Sequence, residues 1–312
     1  MSKGKQSIKA TDTLSFAFNT SVSGNDIHSP YGFFEATYSP KNNLDFYALY
    51  SENTILNNSK IFTRTEQNPF ISLDNAFGTG LNYKLGKTSF KLDYTSGKNN
   101  FYDDEDNSDL YDNRIDAIST QLNYEASENL NIGTVFGMLQ EDSSALGMIG
   151  TNSFDFNNSQ TYFGGIKLSY QPINKLSLSA AYHRGYTNTS IDSSVFNMSN
   201  LESESISFNA TYFLSKDNNI GFELYSPLRI VKGNANIFLA TGRHPTEDKA
   251  YLNKYTASLK DDAREWDLSM FYNTKLKNDT MFKSRFGIRL NPEHEANAKP
   301  DYFGMFNLNF AF

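Results

Sequence analysis

Taken in steps of two from the last residue, Phe312, Phe310, Leu308, Phe306, Gly304 and Tyr302 fall on one face, and Ala311, Asn309, Asn307, Met305 and Phe303 on the other. The first face is apolar and aromatic, the second mostly small or polar, which is the two-residue period of a strand. The same alternation recurs along the chain. Between Met281 and Leu290, Phe282, Phe286, Ile288 and Leu290 oppose Lys283, Arg285 and Arg289. Between Glu265 and Thr274, Trp266, Leu268, Met270 and Tyr272 oppose Glu265, Asp267, Ser269 and Asn273. Comparable stretches begin at Asn75, Thr88, Ile115, Glu128, Thr161, Asn174 and Ser203, and cover Asn219 to Leu228, Val231 to Thr241 and Tyr251 to Lys260. Weaker ones cover Asp12 to Thr20, Tyr31 to Ser39 and Asn43 to Ser51. No stretch has helical spacing, so the expected class is all-β. Counting every candidate gives sixteen strands; the last twelve, from Thr88 onward, also form an even set.

The connections sort into two kinds. Short polar turns fall at Pro40-Lys41-Asn42, Gly86-Lys87, Glu125-Ala126-Ser127, Pro172-Ile173, Lys216-Asp217-Asn218 and Lys277-Asn278-Asp279. Between them lie longer linkers rich in Asn, Asp, Ser and Gly: Glu52 to Asp74, Gly97 to Arg114, Gln140 to Gln160, Tyr186 to Leu201 and Asn291 to Pro300. Tight turns on one side and long loops on the other are the layout of an outer-membrane barrel, with the turns periplasmic. A soluble sandwich has no reason to sort its connections this way. The expected fold is therefore a transmembrane antiparallel up-and-down β-barrel of the outer membrane of a Gram-negative bacterium, with 12–16 strands and an even number. Residues 69–312 form the barrel proper. Residues 1–68 are an N-terminal segment that supplies extra strands, a linker, or a piece inside the lumen.

Composition agrees with this picture. The mean hydropathy is -0.54 and no apolar run approaches the ~18 residues of a membrane helix, but strands that alternate lipid-facing and lumen-facing residues average out on such a scale. The chain holds 26 Phe and 19 Tyr, enough for girdles at both membrane interfaces. Cysteine is absent, which removes disulfides and thiol chemistry. The net charge of -7 argues against a nucleic-acid partner. Lys3 and Lys5 are followed by no apolar run, so an exported chain of this kind is expected to derive from a longer precursor or to have its true start elsewhere.

Several local sequences go beyond general barrel character: Gly137-Met138-Leu139-Gln140-Glu141-Asp142-Ser143-Ser144-Ala145-Leu146-Gly147, then Thr161 to Ile166, Leu176 to Gly185, Ser226 to Gly233, Arg264 to Leu268 and Asn291 to His294. In this order they resemble the C-terminal translocator domain of autotransporters of the subtilisin-like serine protease type, over roughly Asn68 to Phe312. The resemblance implies a barrel that anchors and exports an N-terminal passenger (type V secretion), the passenger being a protease absent from this chain. It implies outer-membrane lipid, the barrel-assembly machinery and the chain's own passenger segment as partners, a monomer, and no cofactor. None of His28, His183, His244 and His294 has a subtilisin-like context, and Gly78-Thr79-Gly80 lacks a following Ser, so no catalytic residue is expected. A porin-like channel and an outer-membrane barrel enzyme remain as alternatives.

Two groups of residues carry candidate roles. Phe306, Leu308, Phe310 and Phe312 are the expected assembly signal, read through edge pairing of the last strand. Their plainer role is packing against lipid. Glu265, Asp267, Lys283, Arg285 and Arg289 are the expected lumen charge network, with Lys91, Asp93, Lys167, His183 and Glu223 added by parity. Charge is tolerated in a polar lumen, whereas a basic residue facing lipid costs about 2–4 kcal/mol at mid-membrane. Such a network rigidifies the wall, holds a passenger segment or sets ion selectivity. Asp103-Asp104-Glu105-Asp106 lacks the spacing of a calcium loop and reads as a solvated loop, so no metal site is expected.

Overall fold

The computed structural model describes residues 6–9, 11, 13–21, 31–52, 68–71, 73–98, 114–149, 155–243, 250–276 and 280–309. Within them the strands are β1 (Gln6–Lys9), β2 (Leu14–Ser21), β3 (Tyr31–Lys41), β4 (Leu44–Glu52), β5 (Asp74–Leu85), β6 (Thr88–Lys98), β7 (Arg114–Ser127), β8 (Leu130–Asp142), β9 (Ser144–Ala145) and β10 (Met148–Ile149). There follow β11 (Asp155–Ile173), β12 (Leu176–Asp192), β13 (Phe196–Met198), β14 (Leu201–Phe213), β15 (Asn218–Lys232), β16 (Asn234–Arg243), β17 (Ala250–Ser258), β18 (Trp266–Lys275), β19 (Met281–Leu290) and β20 (Asp301–Asn309). Fifteen of them form one antiparallel sheet whose spatial order is the chain order. β9 and β10 form a small hairpin, and β13, β16 and β17 a separate three-stranded sheet. Ala76 on β5 and Leu228 on β15 belong to one interior cluster, so the sheet curls round a common lumen.

Two strand assignments change. Val231 to Thr241 and Tyr251 to Lys260 were expected to cross the membrane. Val231 and Lys232 instead end β15, and Asn234 onward forms the β16–β17 hairpin within the long connection to β18. Every residue of β17 is exposed. Its alternation has neither a lumen nor a lipid side, because a period of two reports strand conformation and not the sheet a strand joins. Fifteen strands of the sheet lie among the described residues, and β1–β4 extend the same ladder as the rest. Strands also continue into the expected linkers. β8, β11 and β12 reach Asp142, Asp155 and Asp192, since backbone pairing continues above the membrane where lipid no longer enforces an apolar face.

The two faces are inverted relative to a soluble protein. On β14 the inward Ser203, Ser205, Ser207 and Asn209 are buried, while Ile206, Phe208 and Tyr212 point outward. Ile166, Phe222, Phe286 and Phe306 are exposed. An apolar surface this extensive is untenable in water and is what lipid requires. Tyr38, Tyr83, Tyr124, Tyr170, Tyr212 and Tyr272 each stand just before a short connection, on strands running toward the short-turn side. Tyr50, Phe77, Tyr94, Tyr162, Tyr186 and Trp266 lie toward the long-loop side. From Tyr162 to Tyr170 is about 27 Å along the strand, or roughly 20 Å along the axis at a 45° tilt, close to the apolar band of such barrels. The chain is an outer-membrane β-barrel, with its long connections outside the cell.

The inner wall departs from simple alternation at Tyr47, Phe163, Phe271 and Phe303. Each ring lies on a glycine of the neighbouring strand: Gly80, Gly137, Gly221 and Gly287. A Cβ on Gly137 would come within 2.3 Å of the Phe163 ring, and one on Gly221 within 2.2 Å of Phe271. Close approach to an aromatic ring is why these positions have no side chain.

Candidate functional site

The site is the lumen, into which one connection folds. Asn68 to Ile71, near the end of the link between β4 and β5, turns on itself through Phe70 N–H donating to Asn68 Oδ1 at 3.1 Å and Ile71 N–H to Asn68 O at 3.3 Å. This turn delivers Phe70 and Leu73 to the interior, where they are 6% and 0% exposed. Phe70 stacks on Phe163 with centroids 5.2 Å apart and planes 9° from parallel. Gly137, Phe163, Gly185 and Ser203 form one register row across β8, β11, β12 and β14. A Cβ on Gly185 would lie 2.3 Å from Phe70, so two glycines in one row make room for two rings. Ile115, Ala117, Leu139 and Ala76 complete the cluster from the wall, with Ile71, Val135, Leu146 and Leu228 packed against it.

Two polar fastenings hold further loops over this cluster. Glu141, 1% exposed at the end of β8, accepts from Leu146 N at 2.7 Å, Gly147 N at 3.0 Å, and the Ser144 and Ser159 hydroxyls at 3.2 Å each. These bonds bend the β9–β10 hairpin inward and press Leu146 onto the cluster; Leu146 and Gly147 take positive φ to make the turn. On the other side the Asn291–His294 turn docks on β18. Glu293 N–H donates to Glu265 Oε2 at 2.7 Å, Glu265 N–H donates to His294 Nδ1 at 3.0 Å, and His294 Nε2–H reaches Leu228 O at 3.3 Å. Asn291, Glu293 and His294 all have φ between 50° and 63°, strain that a non-glycine segment sustains only when its surroundings hold it.

The charged residues expected in the lumen separate into two groups. Arg289 Nε lies 3.1 Å from Glu265 Oε1 and 3.0 Å from Asp267 Oδ1, near the docked turn. Arg285 Nη1 instead pairs with Glu223 Oε2 at 2.6 Å, both nearly fully buried, with its guanidinium 5.8 Å above the Phe271 ring. Lys283 stands lower on the wall, in register with Asn273 and Asn307, and does not bring the two groups together. Lys91 pairs with Asp93 at 3.0 Å on β6. The His183 ring lies on Gly165 of β11, where a Cβ would come within 2.3 Å. Toward the short turns the wall opens into a polar recess of about 350 Å³, lined by Lys87, Ser89, Asn123, Glu125, Asn131, Gly133, Lys167 and Ser169.

Of the expected assembly residues, Phe306 and Leu308 face outward on β20 and are exposed. Phe306 meets Phe286 edge-on at 5.2 Å. Phe310 and Phe312 lie outside the described residues, as do Asp103 to Asp106, His28 and His244. Phe70 and Leu73 were missed as site residues, although an apolar patch inside the polar Glu52 to Asp74 linker is a visible signal. What the lumen offers chemically is a polar recess toward the short turns, with an apolar cluster above it and ion pairs in the wall. Where such a cluster narrows a pore, it impedes ions by excluding water.

No protein-family model matches this sequence, and no curated protein matches it. Among solved structures, the chain is similar to a loop L8 deletion mutant of OmpT, an outer membrane protein of Vibrio cholerae. The TM-score is 0.53 at 9% identity, over 97% of this chain and 87% of that one. In-vitro folded OmpT of the same organism gives 0.52 at 10% identity, over 96% and 98%. Likeness at this identity speaks to the fold, an outer-membrane β-barrel, and to nothing finer.

Proposed function

We propose that the chain is a channel-forming outer-membrane barrel for small hydrophilic solutes, held at low conductance by the segment around Phe70. The observation that carries this reading is the origin of that segment. It is a connection between two strands, docked on a wall of matching shape (Gly137, Phe163, Gly185), above a polar recess. The finer reading suggested by sequence resemblance is a type V translocator whose lumen holds its passenger's connecting segment. The order of the motifs from Gly137 to His294 favours it. Single-channel recording of the refolded chain in a planar bilayer separates the two. A channel gives steady small steps that grow when residues 68–71 are replaced by a Gly/Ser stretch. A translocator stays silent or flickers in both forms and conducts steadily only when the residues before β2 are removed. Silence in every form refutes the channel.

A further inference from the structure

The outer wall of the barrel carries a charge cluster that the lumen does not use. Direct register partners share a face in an antiparallel ladder. One outward row therefore holds Arg184 on β12, Glu204 on β14 and Arg229 on β15, and the row above holds Tyr186, Glu202 and Lys232. Arg264, just before β18, joins them: its guanidinium reaches Glu204 Oε1 and Ser226 Oγ and lies 5.4 Å from the Trp266 ring. The two carboxylates are each shared. Glu202 binds Arg184 at 2.6 Å and Lys232 at 2.9 Å, and Glu204 binds Arg229 at 3.0 Å as well as Arg264. Four cations against two anions leave this patch at +2 in a chain whose net charge is -7.

Arg285–Glu223 in the lumen is one to one and buried, and the outward Arg114–Asp116 pair at the rim is neutral. The patch is also open: the Arg184 and Lys232 side chains are 55% and 74% exposed. Glu202 and Lys232 lie at the loop ends of their strands, beyond the spanning segment. Hydrogen bonds from Lys232 and Arg184 hold the Glu202 carboxyl below the usual carboxylate range, so the arrangement stays ionised at neutral pH. Tyr182, whose hydroxyl donates to Glu204, lies two residues below Arg184 on β12, and Trp266 stands beside Arg264 at the loop end of β18. Such a layout presents guanidinium forks and an ammonium to an anion seated just above the acyl chains.

We infer that this face binds the phosphorylated sugar headgroup of an outer-leaflet glycolipid, with Arg184 and Lys232 contacting phosphate and the aromatic side chains bordering the acyl region. The site depends on the outer-membrane placement of the barrel and not on the lumen's being a channel. The probe is bis-phosphorylated lipid A added to the refolded full chain in detergent, with dephosphorylated lipid A and phosphatidylcholine as comparisons. Bound lipid is counted by native mass spectrometry and stability is followed by thermal unfolding. Wild type should bind the phosphorylated lipid and unfold at a higher temperature in its presence, with no such gain from the other two. The Arg184→Gln/Lys232→Gln variant should need roughly thirty-fold more lipid for the same occupancy, as expected for two cations lost at an anionic surface. Equal binding of phosphorylated and dephosphorylated lipid by wild type overturns the inference without reference to any variant. So does a variant that binds like wild type, or one that loses a self-associated form while its lipid response is unchanged, which would make the face an interface between copies.

Discussion

Replacing Phe70 by alanine isolates the constriction from the barrel that carries it. The ring is 94% removed from solvent and stacks on Phe163, and its loss leaves Gly185 and the exposed face of Phe163 bordering an empty slot. Phe→Ala in a packed interior costs about 3–5 kcal/mol. The lower end applies here, because one side of the slot is a lumen that water can enter. About 3 kcal/mol raises the ratio of undocked to docked segment roughly a hundredfold. The outward faces and the strand ladder are untouched, so the folded fraction should be that of wild type, as judged by heat-modifiable gel mobility. In planar bilayers the variant should then spend about a hundredfold more time, relative to the small steps, in a larger-conductance state. Tyr251→Ala, on the exposed β17 hairpin, serves as control and should leave the traces unchanged. The reasoning fails if Phe70→Ala folds normally and conducts like wild type, or if the control opens the pore equally.

Three other perturbations test separate parts of the interior. Glu141→Gln leaves one accepting oxygen and sets an NH2 against either the Leu146 or the Gly147 N–H donor; it should cost about 1–3 kcal/mol locally and speed hydrogen exchange of at least one of those two amides tenfold or more, whereas unchanged protection of both would show that the hairpin is held by packing alone. Gly137→Val drives Phe163 off the wall and should lower stability by about 1–3 kcal/mol, read as an earlier urea midpoint, while Gly242→Ala, whose nearest neighbour lies at 3.5 Å, should be neutral; equal effects would count against the ring-on-glycine account. Arg285→Ala strands a buried Glu223 carboxylate and should cost about 3–5 kcal/mol, most of it recovered in the Arg285→Met/Glu223→Gln double variant; no recovery would mean that Arg285 acts by packing on Phe271.

Much of the architecture was legible because lipid imposes it one strand at a time. A strand that meets hydrocarbon on one face and water on the other must alternate, and Leu201 to Phe213 or Met281 to Leu290 carry that alternation in plain view. The placement of Glu265, Asp267 and Arg289 on one inner face was readable by parity, and the structure brings these three into contact. Parity could not say that Arg285 chooses Glu223, or that Lys283 lies level with Asn273 and Asn307, because partner choice depends on register between strands far apart in the chain.

By itself, then, the sequence determined an all-β chain with one lipid-compatible face, a polar interior, and connections sorted short and long. Each of these follows from local rules of period and turn chemistry. Tertiary structure decided the rest. It placed Val231 to Thr241 and Tyr251 to Lys260 largely in an external hairpin, turned Phe163 and Phe271 inward onto glycines, and sent Phe70 into the lumen. It also gathered four cations around two carboxylates on the outer wall. The physical reason is common to all four. Which residue faces a glycine, a ring or an opposite charge is set by the strand that lies alongside, and a local period carries no information about its neighbour.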